Sequence, residues 1–232
     1  GMNIYLTKGL PLGSGMGSSA ASAVAALAAA NRLLGDPFEK KDLLPFAIAA
    51  EKVACGAGHA DNVAPSLLGG FVLVRDYHPL DVIKLPVPNG LYCTLLHPHY
   101  ELKTADSRSV LRDQIPMKHA TIQSGNVAGL IAGLYESDFE LISRSLRDVI
   151  AEPYRAVLLP GFYEVREALK AAGALGMGIS GSGPTLFALS RGKEIAEAVG
   201  EAGKEMFSKI GLGVDVYFSE INTRGAYVIE EK

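Results

Sequence analysis

Pro11-Leu12-Gly13-Ser14-Gly15-Met16-Gly17-Ser18-Ser19-Ala20 is the stretch on which the reading of this sequence turns. Three glycines at alternate positions let the backbone take positive φ and approach a ligand closely. The loop runs directly into an Ala-rich segment that carries no charge up to Asn31 and is stopped by Gly35 and Pro37. That pattern predicts a helix over 18–34. The first N–H groups of a helix have no partner within it, and with the helix dipole they form a site for an anion, phosphate above all. Ser18 and Ser19 can cap the helix or offer a hydroxyl to a Mg²⁺ ion beside the phosphate. No lysine follows the glycines, so this is not G-x-x-x-x-G-K-[ST]. The glycines stand at 13, 15 and 17, so the dinucleotide fingerprint G-x-G-x-x-G fails as well. A Gly/Ser turn with a serine cap is the plain alternative. Pro11 and the uninterrupted helix start favour the phosphate loop.

Working outward, 3–7 alternates in polarity and predicts a strand. Residues 39–54 carry an Ala/Leu/Ile face and predict a second helix, followed by a Gly/His/Asp loop at 56–61 and a short helix to 68. Residues 71–74 read as a strand. Pro79, Pro86, Pro88 and Asn89-Gly90 make a joint, which divides the chain into 1–88 and 89–232. The second half predicts a strand at 91–96 and helices at 104–111, 117–135, 138–150 and 162–172. A strand pair around a glycine turn follows within 176–190, then a helix at 193–210 and a strand at 214–218. The interleaving is α+β.

Composition bounds the function. The chain has 232 residues, 48% hydrophobic and 20% charged, enough to bury a core without staples. A net charge of -3 and a pI near 6.0 argue against a basic nucleic-acid footprint. The uncharged run after Lys8 invites a membrane reading, but its apolar part is about half the roughly 20 residues a span needs. Two cysteines, Cys55 and Cys93, are too few for a disulfide framework and predict a reduced, cytoplasmic setting. Gly1-Met2 reads as a tag remnant ahead of a start Met.

Further chemistry-bearing residues lie downstream. Glu51 closes the second predicted helix, and His59, Asp61 and Asn62 follow in the glycine-rich loop. Their spacing fits no zinc pattern. A glutamate facing a serine-bearing phosphate loop suits Mg²⁺, which takes oxygen ligands. Asp61 can also cap the short helix. Thr104 and Arg108, four residues apart, share a helix face. A guanidinium can hold a carboxylate in two parallel hydrogen bonds; Arg155, after Glu152-Pro153, is a second candidate. Gly178-Ile179-Ser180-Gly181-Ser182-Gly183-Pro184-Thr185 predicts a tight turn between two apolar strands.

The Pro11–Ala20 stretch resembles the central motif of the GHMP small-molecule kinases. Residues 58–65, 104–108, 152–155 and 178–185 extend the resemblance over nearly the whole chain and are similar to the homoserine kinase branch. The resemblance implies an α+β two-domain fold. Residues 1–88 would form a ribosomal S5 domain 2-like part, and 89–232 a ferredoxin-like α/β sandwich. Family members carry a region ahead of the phosphate loop, so the first part is expected to be incomplete here and covered by a second copy or another partner. ATP and Mg²⁺ are the implied cofactors. Pro11, Gly13, Ser14, Gly15, Met16, Gly17, Ser18 and Ser19 would cradle the nucleotide, and Glu51 with Ser18 or Ser19 (Ser19 preferred) would hold Mg²⁺. His59, Asp61, Asn62, Arg108 and Arg155 would bind L-homoserine, with Thr104, Arg108 and Asn62 at the reacting groups. Gly181 and Ser182 are secondary candidates. Two further classes stay open: a non-catalytic relative that keeps an anion or amino-acid pocket, and a kinase for another small alcohol.

Overall fold

The computed structural model describes residues 2–11, 13–55, 58 and 60–229. The Ala-rich segment forms helix α1 (Ser18–Leu33). It ends where Gly35 and Asp36 take positive φ and bond back to Arg32 O (3.0 Å) and Asn31 O (2.8 Å), a helix stop that Gly makes cheaply. A 3-10 turn (Lys40–Leu43) leads into α2 (Leu44–Cys55); Pro45 sits in the first turn, where a missing N–H costs nothing. Helix α3 (Ala60–Leu68) is followed by strands β1 (Phe71–Tyr77) and β2 (Leu80–Leu85), which pair as an antiparallel hairpin.

The chain packs into two compact units. The first takes residues 2–11, 17–86 and 222–229 of those described; the second takes 13–16 and 87–221. The passage at 86–87 lies two residues ahead of the expected joint. Residues 222–229, which the sequence groups with the second half, pack on the first unit. There Gly70 N–H donates to Asn222 O (2.7 Å), Ala226 N–H donates to Leu67 O (3.2 Å), and Lys84 Nζ donates to Thr223 O (2.8 Å). Ala20, Val24, Leu43, Leu44, Ala47, Val63, Ala64 and Leu67 form this unit's core. Small alanines on α1 let α2 and α3 come close.

The second unit is built on β3 (Leu91–Pro98), β4 (Gly176–Ile179), β5 (Leu186–Arg191) and β6 (Val214–Glu220). The sheet order is β4-β5-β3-β6, every pair antiparallel. Helices α4 (Thr104–Ser109), α5 (Met117–Glu136), α6 (Phe139–Ser145), α7 (Glu152–Arg155) and α8 (Phe162–Ala171) precede β4, and α9 (Lys193–Lys209) precedes β6. This β-α-β-β-α-β order is the ferredoxin-like sandwich expected for this half. Leu96, Phe162, Val165, Leu169, Met177, Leu186, Val199 and Phe207 form its core.

Four local expectations fail, each for a physical reason. Residues 3–7 form no strand, and Tyr5 is 91% exposed; alternation makes a strand only where a neighbour accepts its hydrogen bonds. β2 occupies a stretch read as a joint, because Pro79 marks the hairpin turn rather than a linker. The predicted helix 39–54 is split by the 3-10 turn ahead of Pro45. The predicted helix 138–150 stops at Ser145. The Asp148 carboxylate then collects the N–H groups of Ile150 (2.7 Å), Ala151 (3.1 Å) and Glu152 (3.0 Å) and starts α7 instead. Glu152, 8% exposed, is held by Arg166 Nη2 at 2.6 Å.

Phe162 is 2% exposed, with the Arg166 guanidinium 4.7 Å above its ring. Phe162→Ala is expected to lower the unfolding free energy by about 3–5 kcal/mol. Urea unfolding followed by circular dichroism measures it; a loss below about 1 kcal/mol would contradict this core assignment.

Candidate active site

Each unit holds its own group of candidate residues. In the first, Gly17 (φ 71°, ψ 31°) precedes α1, and no side chain caps the helix. The expected serine cap is absent because both hydroxyls are engaged elsewhere. Ser18 Oγ donates to Leu10 O (3.4 Å) and accepts from Lys8 Nζ (3.2 Å). Ser19 Oγ donates to Glu51 Oε1 (2.8 Å). No side chain of the N-cap residue Gly17 competes for the first N–H groups of α1.

Glu51 lies inside α2, one turn before its end, and is only 3% exposed. Its Oε2 is buried and has no hydrogen-bond partner among the described residues. A buried carboxylate oxygen left alone is costly. A serine hydroxyl beside such an oxygen is the donor set that Mg²⁺ takes, with phosphate oxygens and water filling the other positions. The residues present therefore fit a Mg²⁺ ion, and they do so at Ser19 rather than Ser18. Groups of three or more His, Cys, Asp or Glu able to share a metal are not found among the described residues.

Asn62 lies in the first turn of α3, and its Oδ1 is 3.4 Å from where a Cβ on Gly17 would sit. A Cβ at position 17 would meet Asn62 at ordinary contact distance, so the positive φ rather than a clash favours glycine there. Asp61 is exposed, and its Oδ1 accepts from the Asn62 N–H (3.1 Å). α3 already begins at Ala60, so Asp61 sits within the first turn rather than ahead of it. His59 lies outside the described residues.

In the second unit, Gly15 (φ 78°) packs backbone to backbone on the 180–185 turn. A Cβ on Gly15 would run into Ser180 O and come within 2.8 Å of Gly183 O. Ser180 Oγ donates to Gly15 O (2.9 Å), and Thr185 N–H donates to Ser14 O (3.3 Å). Ser14 is 2% exposed, and its Oγ accepts from Met16 N–H (3.3 Å). The same turn anchors the other candidates. Arg155, the last residue of α7, donates from Nη1 to Gly181 O (3.0 Å) and from Nε to Ser107 O (3.3 Å). Thr104 Oγ1 lies 3.2 Å from Ser182 Oγ. Arg108 projects from α4 one turn after Thr104 and is exposed.

Within this unit the structure thus joins Ser14, Gly15, Thr104, Arg155, Gly181 and Ser182 through direct contacts. Arg155 spans two backbone carbonyls, a role the sequence did not suggest. Sequence reasoning also missed Lys8 and His97. His97, on β3, lies with Nδ1 2.9 Å from Thr185 Oγ1; the two are 88 residues apart, and no local pattern could pair them. Burial holds the His97 pKa below the ordinary histidine value, against the pull of Asp215. Burial also pushes the Cys93 thiol up to about 12, which leaves it without thiolate character at neutral pH.

Gly15 and Gly13 separate two effects. Both have positive φ, but a Cβ on Gly13 would meet nothing within 4 Å. Gly13→Ala therefore carries only backbone strain, about 1–3 kcal/mol. Gly15→Ala adds a backbone clash and is expected to be clearly the less stable of the two in denaturant melts. Equal losses would refute the close approach.

Family models match at residues 1–70, GHMP kinases N terminal domain, and at residues 130–209, GHMP kinases C terminal. A homoserine kinase of Chlorobium phaeobacteroides is 56% identical over 230 residues, covering 98% of this chain and 72% of that protein. A homoserine kinase of Xylella fastidiosa is 39% identical, covering 99% and 70%. The crystal structure of homoserine kinase from Cytophaga hutchinsonii superposes with a TM-score of 0.92 at 57% identity, covering 94% of this chain and 70% of that one. A mevalonate kinase of L. major, at 16% identity and TM-score 0.70, shares the fold. No helix among the described residues is long and apolar enough to cross a membrane. With the glycine loop, the serine–glutamate pair and the second glycine turn in place, and with relatives this similar along nearly its whole length, the chain belongs to the GHMP kinase family.

Proposed function

We propose that this chain is a homoserine kinase. It transfers the γ-phosphoryl group of ATP to the side-chain hydroxyl of L-homoserine, giving ADP and O-phospho-L-homoserine. The 56% identity to a homoserine kinase over 98% of the chain carries this reading; the bond from half-buried Ser19 to buried Glu51 supports it.

The roles follow from the chemistry of each group. Backbone N–H groups of the glycine loop and the first turn of α1 receive the phosphates. Ser19 and Glu51 hold Mg²⁺, which when bound neutralises charge on the β- and γ-phosphates. The Arg108 guanidinium takes the substrate carboxylate in a forked pair of hydrogen bonds. Asp61 suits the substrate ammonium group, and Asn62 the hydroxyl. His59 joins them by family resemblance. Thr104 faces the transferred phosphoryl group, and Arg155 steadies α4 and the 180–185 turn around it. No side chain is assigned as general base, because phosphoryl transfer rests on positioning and charge neutralisation. The reading also divides the chain into an N-terminal domain, 1–88, and a C-terminal domain, 89–232. It includes a cytoplasmic setting and a second copy or other partner over the β1–β2 sheet; light scattering on the purified chain measures that pairing.

Purified chain incubated with ATP, Mg²⁺ and L-homoserine should release ADP and O-phospho-L-homoserine in equal amounts. ADP release that is independent of homoserine, or none at all, would sink the reading. Arg108→Ala should raise KM for homoserine by on the order of 10- to 100-fold, with a smaller change in kcat. Ser19→Ala and Glu51→Ala should instead lower kcat by roughly 10²–10³-fold. An Arg108 variant with an unchanged KM for homoserine would remove the carboxylate assignment.

A further inference from the structure

We propose that His97 is a positioning residue for the phosphate loop, acting through Thr185. The proposal rests on the reading of 13–17 as a nucleotide loop. Its structural part stands on contacts inside the second unit alone.

Thr185 is fully buried, and all its polar groups are engaged. Its carbonyl accepts from Ser180 N–H (2.8 Å), its N–H donates to Ser14 O (3.3 Å), and its hydroxyl meets His97 Nδ1 (2.9 Å). The pairing of β3 with β5 ends at Leu96 and Leu186, so the next residues are His97, still on β3, and Thr185, just ahead of β5. Thr185 is therefore the point where the sheet hands over to the glycine turn. Gly15 is locked onto that turn by backbone contact too close for any side chain. A buried hydroxyl without a partner is costly. Removing the imidazole leaves the Thr185 hydroxyl in that state, and movement of the 180–185 turn is the available relief. Gly15 and Ser14 must follow the turn, because their carbonyls are bonded to Ser180 and Thr185. His97 thus acts on the loop without touching a nucleotide.

Protonation acts by the same route. Neutral imidazole can accept the Thr185 hydroxyl proton at Nδ1, whereas in the cation both ring nitrogens are donors. Three groups face the ring. On β6, Asp215 is its register partner and favours the cation. Just beyond its own strand, His99, with Nε2 3.1 Å from Asp215 Oδ1, opposes it. From the turn before β5 comes the uncharged Thr185. Burial outweighs Asp215, so the folded protein keeps His97 neutral below the ordinary value of 6.5. The sign follows: the unfolded chain binds the proton more readily. The contribution of His97 is fully present above about 6.5 and is lost as pH falls through the lower folded-state value.

The test compares wild type, His97→Asn, which keeps a hydrogen-bonding atom near Nδ1 but does not titrate, and His97→Leu. Hydrogen exchange of the amides at 13–17 and 185 is measured at pH 7.5 and 5.5, corrected for intrinsic rates, alongside KM for ATP and for homoserine. His97→Leu should speed exchange at these amides and raise KM for ATP roughly 3- to 10-fold, with the KM for homoserine changed much less. His97→Asn should restore both. Wild type should loosen at pH 5.5 and His97→Asn should not. Unchanged loop exchange and KM for ATP in His97→Leu would overturn the proposal, as would equal acid sensitivity in wild type and His97→Asn. The latter comparison decides the matter even if the leucine variant does not fold. If wild type proves to lack kinase activity, the functional reading fails while the exchange data still decide the role of His97.

Discussion

The close approach of Gly15 to the 180–183 backbone is the constraint on which the second unit's candidate residues depend. A Cβ on Gly15 would strike Ser180 O, so only glycine permits the contact. Once the loop is seated there, the turn's other groups are available as anchors. Gly181 O takes Arg155, Ser182 Oγ meets Thr104, and Ser180 Oγ closes back onto Gly15 O. Backbone-to-backbone packing has few soft degrees of freedom. A loop held this way is shaped before any ligand arrives, which is what stabilising a highly charged transferring group asks of it.

The first unit solves a different problem, the placement of a buried carboxylate. Glu51 lies on α2, nearly fully buried, and its Oε1 accepts from the Ser19 hydroxyl. The alanines of α1 make this possible, because small side chains let α2 approach the start of α1. Among the described residues the Glu51 Oε2 has no hydrogen-bond partner, which is costly for a buried carboxylate oxygen. A divalent cation would turn that cost into binding free energy.

Much of the fold was legible in the sequence. Helix α1 ends within one residue of its expected end because Gly35 and Pro37 mark the stop. The β4–β5 hairpin followed from three glycines between apolar runs. β2 was missed because Pro79 serves a hairpin turn as readily as a linker. The end of α6 was missed because Asp148 caps from beyond the helix, and its competition with helix extension is invisible to periodicity. The segment 3–7 shows the converse: alternation is permission to form a strand, and pairing decides. Of the candidate site, the sequence pointed to Gly15, Ser19 and Glu51, whose close contacts the structure describes, because their residue types announce their chemistry. The backbone role of Arg155 and the links of Lys8 and His97 were not, since each joins residues far apart in the chain.

By itself the sequence determined the glycine-loop motif, the family and most of the order of elements, because these rest on residue type and on spacing within a few turns. Tertiary structure alone decided that Ser19 and not Ser18 meets Glu51, that Asn62 borders Gly17, and that His97 reaches Thr185. It also decided that residues 222–229 return to the first unit. The physical reason is common to all four: a hydroxyl, an amide or an imidazole has several partners open to it in the unfolded chain. Only packing, by burying some of its neighbours and placing others beside it, selects one.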